Sequence, residues 1–296
     1  MNLSKYITRV PRPKGAVLAT NEHALRVLKE QGLEPTIQSL AFTSKGAMRS
    51  LLGSSKKTEK GEKKGYITKV MYLYPHMRTG YNVCPFATPS CSKDCLVSQG
   101  NLTYPTTKRA LIARTYLWHF HPKYFLEKLM MEIFKFHIES QWSGKIPVIR
   151  LNGTSDIRWH KYIDMAAIHR DTGIRFYDYT KFPHNDKLPP REVYSLTFSI
   201  SEDPLSWERA DKWLQHGYSA AVVVAADGKN NLKAARAAQQ KVVDRGYLDI
   251  MGRRLRTIHG DEDDLRMLDR KGGLVVLYAK GKALSEQSPF VHRIQL

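Results

Sequence analysis

The feature that most constrains the fold is a regular alternation of short apolar segments with longer segments of helical periodicity between residues 66 and 281. The apolar segments are rich in β-branched and aromatic residues, which predicts strands. Strands that alternate with helices form βαβ units and build a mainly parallel sheet. We therefore expect an α/β fold, either a partial or complete (β/α) barrel or an open doubly wound sheet. The predicted strands cover residues 66–75, 146–153, 174–181, 193–202, 219–226 and 272–281.

Residues 1–65 are expected to form a small helical N-terminal extension. A barrel-like domain of residues 66–296 is expected to follow it. Within the extension, residues 19–33 predict a helix that is capped by Asn21 and ended by Gly32. Residues 40–53 predict a second short helix, and residues 54–65 form a basic linker. In the second region, Pro122 is expected to break the helical stretch of residues 106–140, because proline cannot donate a backbone hydrogen bond.

Length and charge limit the location and the partners of the protein. The 296 residues, 42% of them hydrophobic, can form one barrel-sized domain or two small ones. No apolar run approaches the roughly 20 residues of a membrane helix, and the start of the chain lacks a secretory signal. We therefore expect no membrane partner and a cytoplasmic location. The net charge of +19 favours a polyanionic partner, most commonly nucleic acid, although a plain basic surface is the alternative.

The three cysteines of the chain, Cys84, Cys91 and Cys95, lie in one loop after the first predicted strand. A clustered, odd set of thiols favours metal or redox chemistry over a disulfide framework. Three thiolates fit a 4Fe–4S cluster that keeps one iron open to a substrate or cofactor. A zinc ion would need a fourth ligand, for which His76 is the nearest histidine before the loop. Three inert thiols in a packed loop are the remaining alternative.

Polar residues also follow or occupy other predicted strands. Residues 152–156, Asn-Gly-Thr-Ser-Asp, come directly after a buried strand. Their glycine permits close approach to a ligand, while their threonine or serine could instead cap the next helix. In the strand of residues 174–181, Asp178 and Lys181 are candidate catalytic residues. An unpaired acid inside a strand is costly to bury, so Asp178 either lines a polar barrel mouth or pairs with an arginine.

Several basic residues are candidates for contacts with nucleic-acid phosphates, and ordinary solvated charge is the alternative for each. They are Lys108, Arg109, Arg114, Arg253, Arg254 and Arg256.

Two further segments suggest metal sites. His119 and His121 flank a phenylalanine and precede Tyr124, as in the metal site of rolling-circle nickases, but helical periodicity here places the two histidines on different faces. The acidic residues 261–264 could hold a divalent cation, or they could favour the N-terminus of a helix.

The cysteine loop resembles that of radical S-adenosylmethionine enzymes, in which three cysteines follow the first strand of a partial (β/α) barrel. The spacing here, C-x6-C-x3-C, is wider than is usual in those enzymes. The resemblance implies that the three cysteines hold a 4Fe–4S cluster and that S-adenosylmethionine binds at its open iron. By position in the fold, it implies a site for the methionine amino group at Asn152, Ser155 and Asp156, and a ribose site at Ser199, Ser201 and Glu202.

The chain also resembles a phage-encoded protein family of unassigned function. The shared motifs are the Asn-x-Cys-Pro start of the cysteine loop, Ala113-Arg114 in the next helix, the segment from Arg150 to Asp156, and Tyr-Thr-Lys at residues 179–181. Three functions follow as hypotheses: an iron–sulfur, radical S-adenosylmethionine-like enzyme that acts on a polyanion, a zinc-stabilised nucleic-acid-binding protein without catalysis, and a metal-dependent replication nickase.

Overall fold

The computed structural model describes residues 2–15, 20–42, 50–184, 187–250, 252–285 and 288–296. The strands are β1 Leu52–Gly53, β2 Tyr66–Met71, β3 Ile146–Arg150, β4 Arg175–Thr180, β5 Tyr194–Ser199, β6 Ser219–Ala226, β7 Tyr247–Ile250, β8 Arg253–His259, β9 Leu274–Tyr278 and β10 His292–Ile294. The α-helices are α1 Glu22–Glu30, α2 Ile37–Ala41, α3 Lys56–Glu59, α4 Pro89–Lys93, α5 Pro105–Phe120, α6 Pro122–Ser143, α7 Met165–Thr172, α8 Ser206–Gln215 and α9 Leu232–Arg245.

The strands form one largely parallel sheet in the order β1-β2-β3-β4-β5-β6-β9-β8-β7, with β10 also paired to β6. Only the β1–β2 and β7–β8 pairs are antiparallel. The six predicted strands, β2 to β6 and β9, lie side by side in chain order, which confirms the α/β fold with mainly parallel strands. A complete barrel is not formed by the described residues, because β1 and β7 remain as the two edges of the sheet.

The predicted helix boundaries have clear local causes. The side chain of Asn21 accepts a hydrogen bond from the backbone of Ala24 and so caps α1, and Gly32 has a positive φ just after that helix. Pro122 separates α5 from α6, as predicted. The second predicted N-terminal helix is replaced by α2 and β1 at its two ends, and its residues 43–49 lie outside the described part of the chain.

The two faces of the sheet differ in polarity. On β4 and β5, Phe176, Tyr194 and Phe198 belong to the main hydrophobic core with residues from the helices. Tyr177, Ser195 and their neighbours on the opposite face are equally buried but polar. One face of the sheet therefore packs like an ordinary α/β core, and the other needs polar partners.

Residues 261–269, here called the polar segment, supply those partners. The Tyr177 hydroxyl donates to Asp264 at 2.7 Å, and the Ser195 hydroxyl donates to the carbonyl of Arg266 at 3.4 Å. Arg266 is only 2% exposed and pairs with Asp263 and Asp269. The acidic turn is thus a set of ion-pair partners beside the sheet. The acidic residues do not lie at the N-terminus of an α-helix, so this alternative of the sequence analysis is wrong.

Two regions depart from the sequence interpretation. The sequence predicts only a basic segment where the structure has the β7–β8 hairpin, because arginines occupy positions that are apolar in a typical strand.

The N-terminal residues Tyr6, Ala24 and Leu28 pack into the same core as the sheet. Residues 54–65, the predicted basic linker, contain α3 and a 3₁₀ turn with Thr58 and Gly61 buried.

No helix in the described residues combines the length and apolar character that crossing a membrane requires.

Candidate functional site

A cavity of about 360 Å³ lies at the carboxyl ends of the parallel strands. This is the edge at which ligands bind in parallel α/β folds. The cavity brings together residues of four separate segments that the sequence analysis identifies as candidates. Those that line it are Cys84, Cys91, Cys95, Asn152, Ser155, Asp156, Lys181 and Ser199.

The cysteine loop forms one wall of the cavity. Thr88 caps the short helix α4, which carries Cys91, by accepting from its backbone at 3.3 Å. The backbone of His76 donates to the Cys84 sulfur at 3.4 Å, and that thiol reaches the carbonyl of Thr154 at 3.6 Å. Burial raises the pKa of all three thiols, and that of Cys84 to about 12.

Two cations oppose this effect of burial. Lys181 acts to lower the pKa of Cys91, and Arg78 acts to lower the pKa of Cys95. Positive charge beside a thiol favours its thiolate form, which is the form that binds metals.

Glu202 anchors the cysteine loop from outside the cavity. Its carboxylate accepts from the Thr88 hydroxyl at 2.8 Å and from the backbone of Ser90 at 2.9 Å. These bonds lower the pKa of Glu202, against the effect of its partial burial. Ser201 donates its backbone N–H to Ser206 at the start of α8. Of the three predicted ribose contacts, therefore, only Ser199 lines the cavity.

The segment 152–156 is held by its own hydrogen bonds. The side-chain oxygen of Asn152 accepts from the Ser155 hydroxyl at 2.8 Å and from the Trp159 indole at 3.0 Å. A Cβ on Gly153 would lie 2.7 Å from the carbonyl of Met71, so glycine is needed at this position. The Asn152 carboxamide thus makes its hydrogen bonds within the loop and fixes the shape of the loop at the cavity.

Asp178 lies behind this loop and outside the cavity lining. It is fully buried, and its carboxyl group accepts from the backbone of Asn152 at 2.6 Å and from the Tyr194 hydroxyl at 2.9 Å. Burial raises the pKa of Asp178 to about 7, although Arg150 acts in the opposite direction. The geometry gives Asp178 a positioning contact to the cavity loop.

Asp156, Lys181 and Ser199 join the ends of three strands. Asp156 accepts from the Thr180 hydroxyl at 2.8 Å and from the backbone of Lys181 at 2.9 Å. The Lys181 ammonium donates to the hydroxyl and the carbonyl of Ser199, at 2.9 and 3.0 Å. Hydrogen bonds thus hold both the Asp156 carboxylate and the Lys181 ammonium in place at the cavity wall.

The sequence interpretation missed two ion pairs in the cavity. Arg150 at the end of β3 pairs with Asp264 at 3.0 Å, and Lys280 after β9 pairs with Asp261 at 2.6 Å. The period of two along β3 places Arg150 on the same face as buried Val148, a signal that could have identified it. Its acidic partner comes from the polar segment, far away in sequence.

A family model described as Gene product 88 matches residues 48–293. The chain belongs to this family. Its membership is consistent with the resemblance to phage-encoded proteins. No curated protein and no solved structure matches the chain.

In this member of the Gene product 88 family, three of the predicted phosphate contacts have other surroundings. Arg109 donates to the carbonyls of Gln31 and Gly32 at the end of α1. Arg114 donates to the carbonyl of Ser50, and burial lowers its pKa to about 10. Lys108 lies over the ring of Tyr74. Backbone carbonyls accept hydrogen bonds from the guanidinium groups of Arg109 and Arg114, and contact of these residues with phosphate stays a prediction.

The histidine triplet lies at the junction of α5 and α6, away from any described strand. His119 is buried beside Tyr81, with its pKa lowered to about 3 by burial, whereas His121 contacts the carbonyl of Pro35. Tyr124 packs against Phe42. These separate surroundings remove the geometric basis for the nickase interpretation.

The fit of a metal to the cavity depends on the kind of site. Across the described residues, no group of three or more His, Cys, Asp or Glu side chains is arranged to hold a single metal ion. A tetrahedral zinc ion requires sulfurs within about 4 Å of one another, given Zn–S bonds of about 2.3 Å. A cubane cluster bonds each thiolate to a different iron and so requires a wider separation. Three thiols that line one cavity satisfy the donor set of such a cluster.

Proposed function

We propose that the protein binds a 4Fe–4S cluster through Cys84, Cys91 and Cys95. In this proposal it is a radical S-adenosylmethionine-like enzyme that acts on nucleic acid or another polyanion. One observation carries the proposal: a single cavity at the carboxyl ends of parallel strands collects all three thiols and the polar ends of β3, β4 and β5. The chain-order arrangement of the parallel strands β2 to β6 and β9 supports the proposal, because it is the order that we expect of a partial (β/α) barrel.

The charges around the thiols support an anionic group at this wall. Arg78 and Lys181 both favour thiolates, and both line the cavity. When bound, a cluster of this kind supplies an electron and an open iron at which S-adenosylmethionine can bind.

The remaining cavity residues act on the cofactor and substrate. We assign to Asp156 the contact with a cationic amino group, because its carboxylate lines the cavity. Ser199 and Lys181 are placed to contact a hydroxyl or phosphate. Asn152 and Asp178 hold the loop that presents Asp156, so we assign them positioning roles.

The test is iron, sulfide and zinc analysis with a visible spectrum, on protein purified without oxygen. We expect about four irons with matching sulfide and a broad band near ~400 nm. Cys91→Ser should lose them, whereas Ser98→Ala, which removes a hydroxyl bonded to the Cys95 carbonyl, should keep them. A colourless wild-type protein that cannot be reconstituted with iron and sulfide would contradict the proposal.

A second candidate is a zinc-stabilised nucleic-acid-binding protein, which one observation favours. His76 lines the same cavity as the three thiols, and its Nδ1 lies 3.1 Å from the Ser92 hydroxyl. It is therefore the available fourth ligand. His76→Ala would abolish stoichiometric zinc in this case and would leave a cluster on three cysteines intact.

A further inference from the structure

A second pocket, of about 460 Å³, lies at the amino ends of the strands, opposite the cysteine cavity. Its lining comes from β8 and from the segment that enters β9. Three of the lining residues are cations: Arg256, Arg270 and Lys271. All three are exposed, and none of their side chains makes a hydrogen bond or ion pair with a described residue.

The other arginines of the same hairpin region differ in this respect. Arg253 pairs with Asp211, while Arg254 and Arg245 both pair with Asp249. Asp211 and Asp249 thus compensate two of these three charges. The side chains of Arg256, Arg270 and Lys271 have no such partner among the described residues, so their charge remains available to a ligand in the pocket.

The acid in the pocket does not neutralise these three cations. The carboxylate of Asp269 lies 3.0 Å from the buried guanidinium of Arg266. The backbone carbonyl of Asp269 accepts a hydrogen bond from Arg191 at 2.7 Å. Asp269 thus compensates a buried charge behind the pocket wall.

Two glycines also line this pocket. Gly272 has a φ of +71°, and a Cβ on Gly273 would lie 2.3 Å from Ile258, so glycine is needed at both positions. The half-buried Gly272 and the buried Gly273 present main chain, without side chains, to this part of the pocket. Main chain beside several cations is a common setting for phosphate groups.

We propose that Arg256, Arg270 and Lys271 form a site for the phosphodiester backbone of nucleic acid. Cations that contact only phosphates give affinity without base readout. The net charge of +19 adds long-range attraction for such a partner. The site would anchor nucleic acid on the edge of the sheet opposite the cysteine cavity.

The experiment compares two triple variants that remove the same charge. One is Arg256→Gln, Arg270→Gln and Lys271→Gln; the control is Arg245→Gln, Arg253→Gln and Arg254→Gln. Binding of a fluorescent mixed-sequence DNA duplex is measured by anisotropy from about 50 to 200 mM salt. Thermal melts confirm that both variants are folded.

We expect the pocket variant to weaken binding about tenfold or more at ~100 mM salt and to lower the salt slope by about 2.7, the value for three phosphate contacts. The control should change both quantities much less. Equal effects in the two variants, or no effect in either, would overturn the proposal. Competition with inorganic phosphate provides a further arm: phosphate bound in the pocket without a change in DNA affinity would assign a small ligand instead. Anisotropy reports DNA binding alone, whereas iron and sulfide analysis tests the cluster, so failure of this proposal is distinguishable from failure of the proposed function.

Discussion

The two walls of the cysteine cavity are built in different ways. The strand-end wall, residues 152–156, 179–181 and 199 with Asp178 directly behind them, is a dense network in which Asn152, Asp156 and Asp178 each have at least two partners within 3.0 Å. The thiol wall, Cys84, Cys91 and Cys95, sits on an irregular loop, and the sulfur contacts of Cys84 are long, at 3.4 and 3.6 Å.

This difference separates a wall that is fixed by its own hydrogen bonds from a wall whose thiols remain able to bind a metal. Side chains whose hydrogen-bonding capacity is used within the protein stabilise the fold and orient their neighbours. Thiols with weak contacts contribute little to stability and keep their donor capacity for a metal. The comparison therefore predicts that the two walls respond oppositely to mutation: changes in one affect folding, and changes in the other affect metal binding.

The largest expected effect is on the stability of the strand-end wall. Asp178→Ala leaves the Asn152 N–H and the Tyr194 hydroxyl buried without their acceptor. We expect it to lower the free energy of unfolding by about 2–4 kcal/mol. In metal-free protein, Cys91→Ser should change that free energy by less than about 1 kcal/mol. Urea denaturation of both variants checks this, and equal destabilisation would erase the distinction between the walls.

The pH dependence of stability should also trace to the strand-end wall. Burial raises the pKa of Asp178 from 3.8 to about 7, so the folded state holds this proton more tightly than the unfolded state between those values. Stability from this group is present at low pH and is lost as pH rises through the folded pKa. From pH 5 to pH 7 the loss is about 2 kcal/mol. The measurement is the unfolding free energy of wild type minus that of Asp178→Asn, and a difference that does not change with pH would contradict it.

The smallest effect concerns the support of the thiol wall. Glu202→Ala removes the carboxylate that holds Thr88 and Ser90 in the cysteine loop. Loss of such an outer contact should weaken metal binding about tenfold, with little change in folding. Glu208→Ala is the control, because Glu208 makes only an exposed ion pair with Lys212. A chelator titration that gives the same metal affinity for both variants would show that the loop needs no support from β5.

The sequence predicted the elements that have local causes. The period of two in 174–181 and the glycine after 165–172 are properties of short segments, and the corresponding strand and helix end are where they were expected. In the β7–β8 hairpin, arginines conceal the strand pattern, and β8 also pairs with β9, far away in sequence. The local signal that could have revealed the hairpin is Gly252, which lies between the two strands with a positive φ.

The candidate site, too, was predictable only where its residues follow from a short stretch of sequence. Sequence reasoning identified the cysteines, the loop after β3 and the end of β4, because each is a run of polar residues after an apolar strand. It identified the acidic residues 261–264 as a possible cation site or helix N-terminus, but not the ion pairs with Lys280 and Arg150 through which Asp261 and Asp264 reach the cavity. It also predicted Asp178 at the site. The strand pattern alone could not distinguish a side chain that lines the cavity from one that is buried behind the loop, as Asp178 is.

The most direct test of the central claim, a cluster with an iron open to S-adenosylmethionine, is electron paramagnetic resonance. The sample is anaerobically reconstituted and reduced protein, recorded before and after addition of S-adenosylmethionine. The account predicts a signal from a reduced 4Fe–4S cluster that changes when S-adenosylmethionine is added to wild type. A cluster signal that is identical with and without S-adenosylmethionine would contradict it.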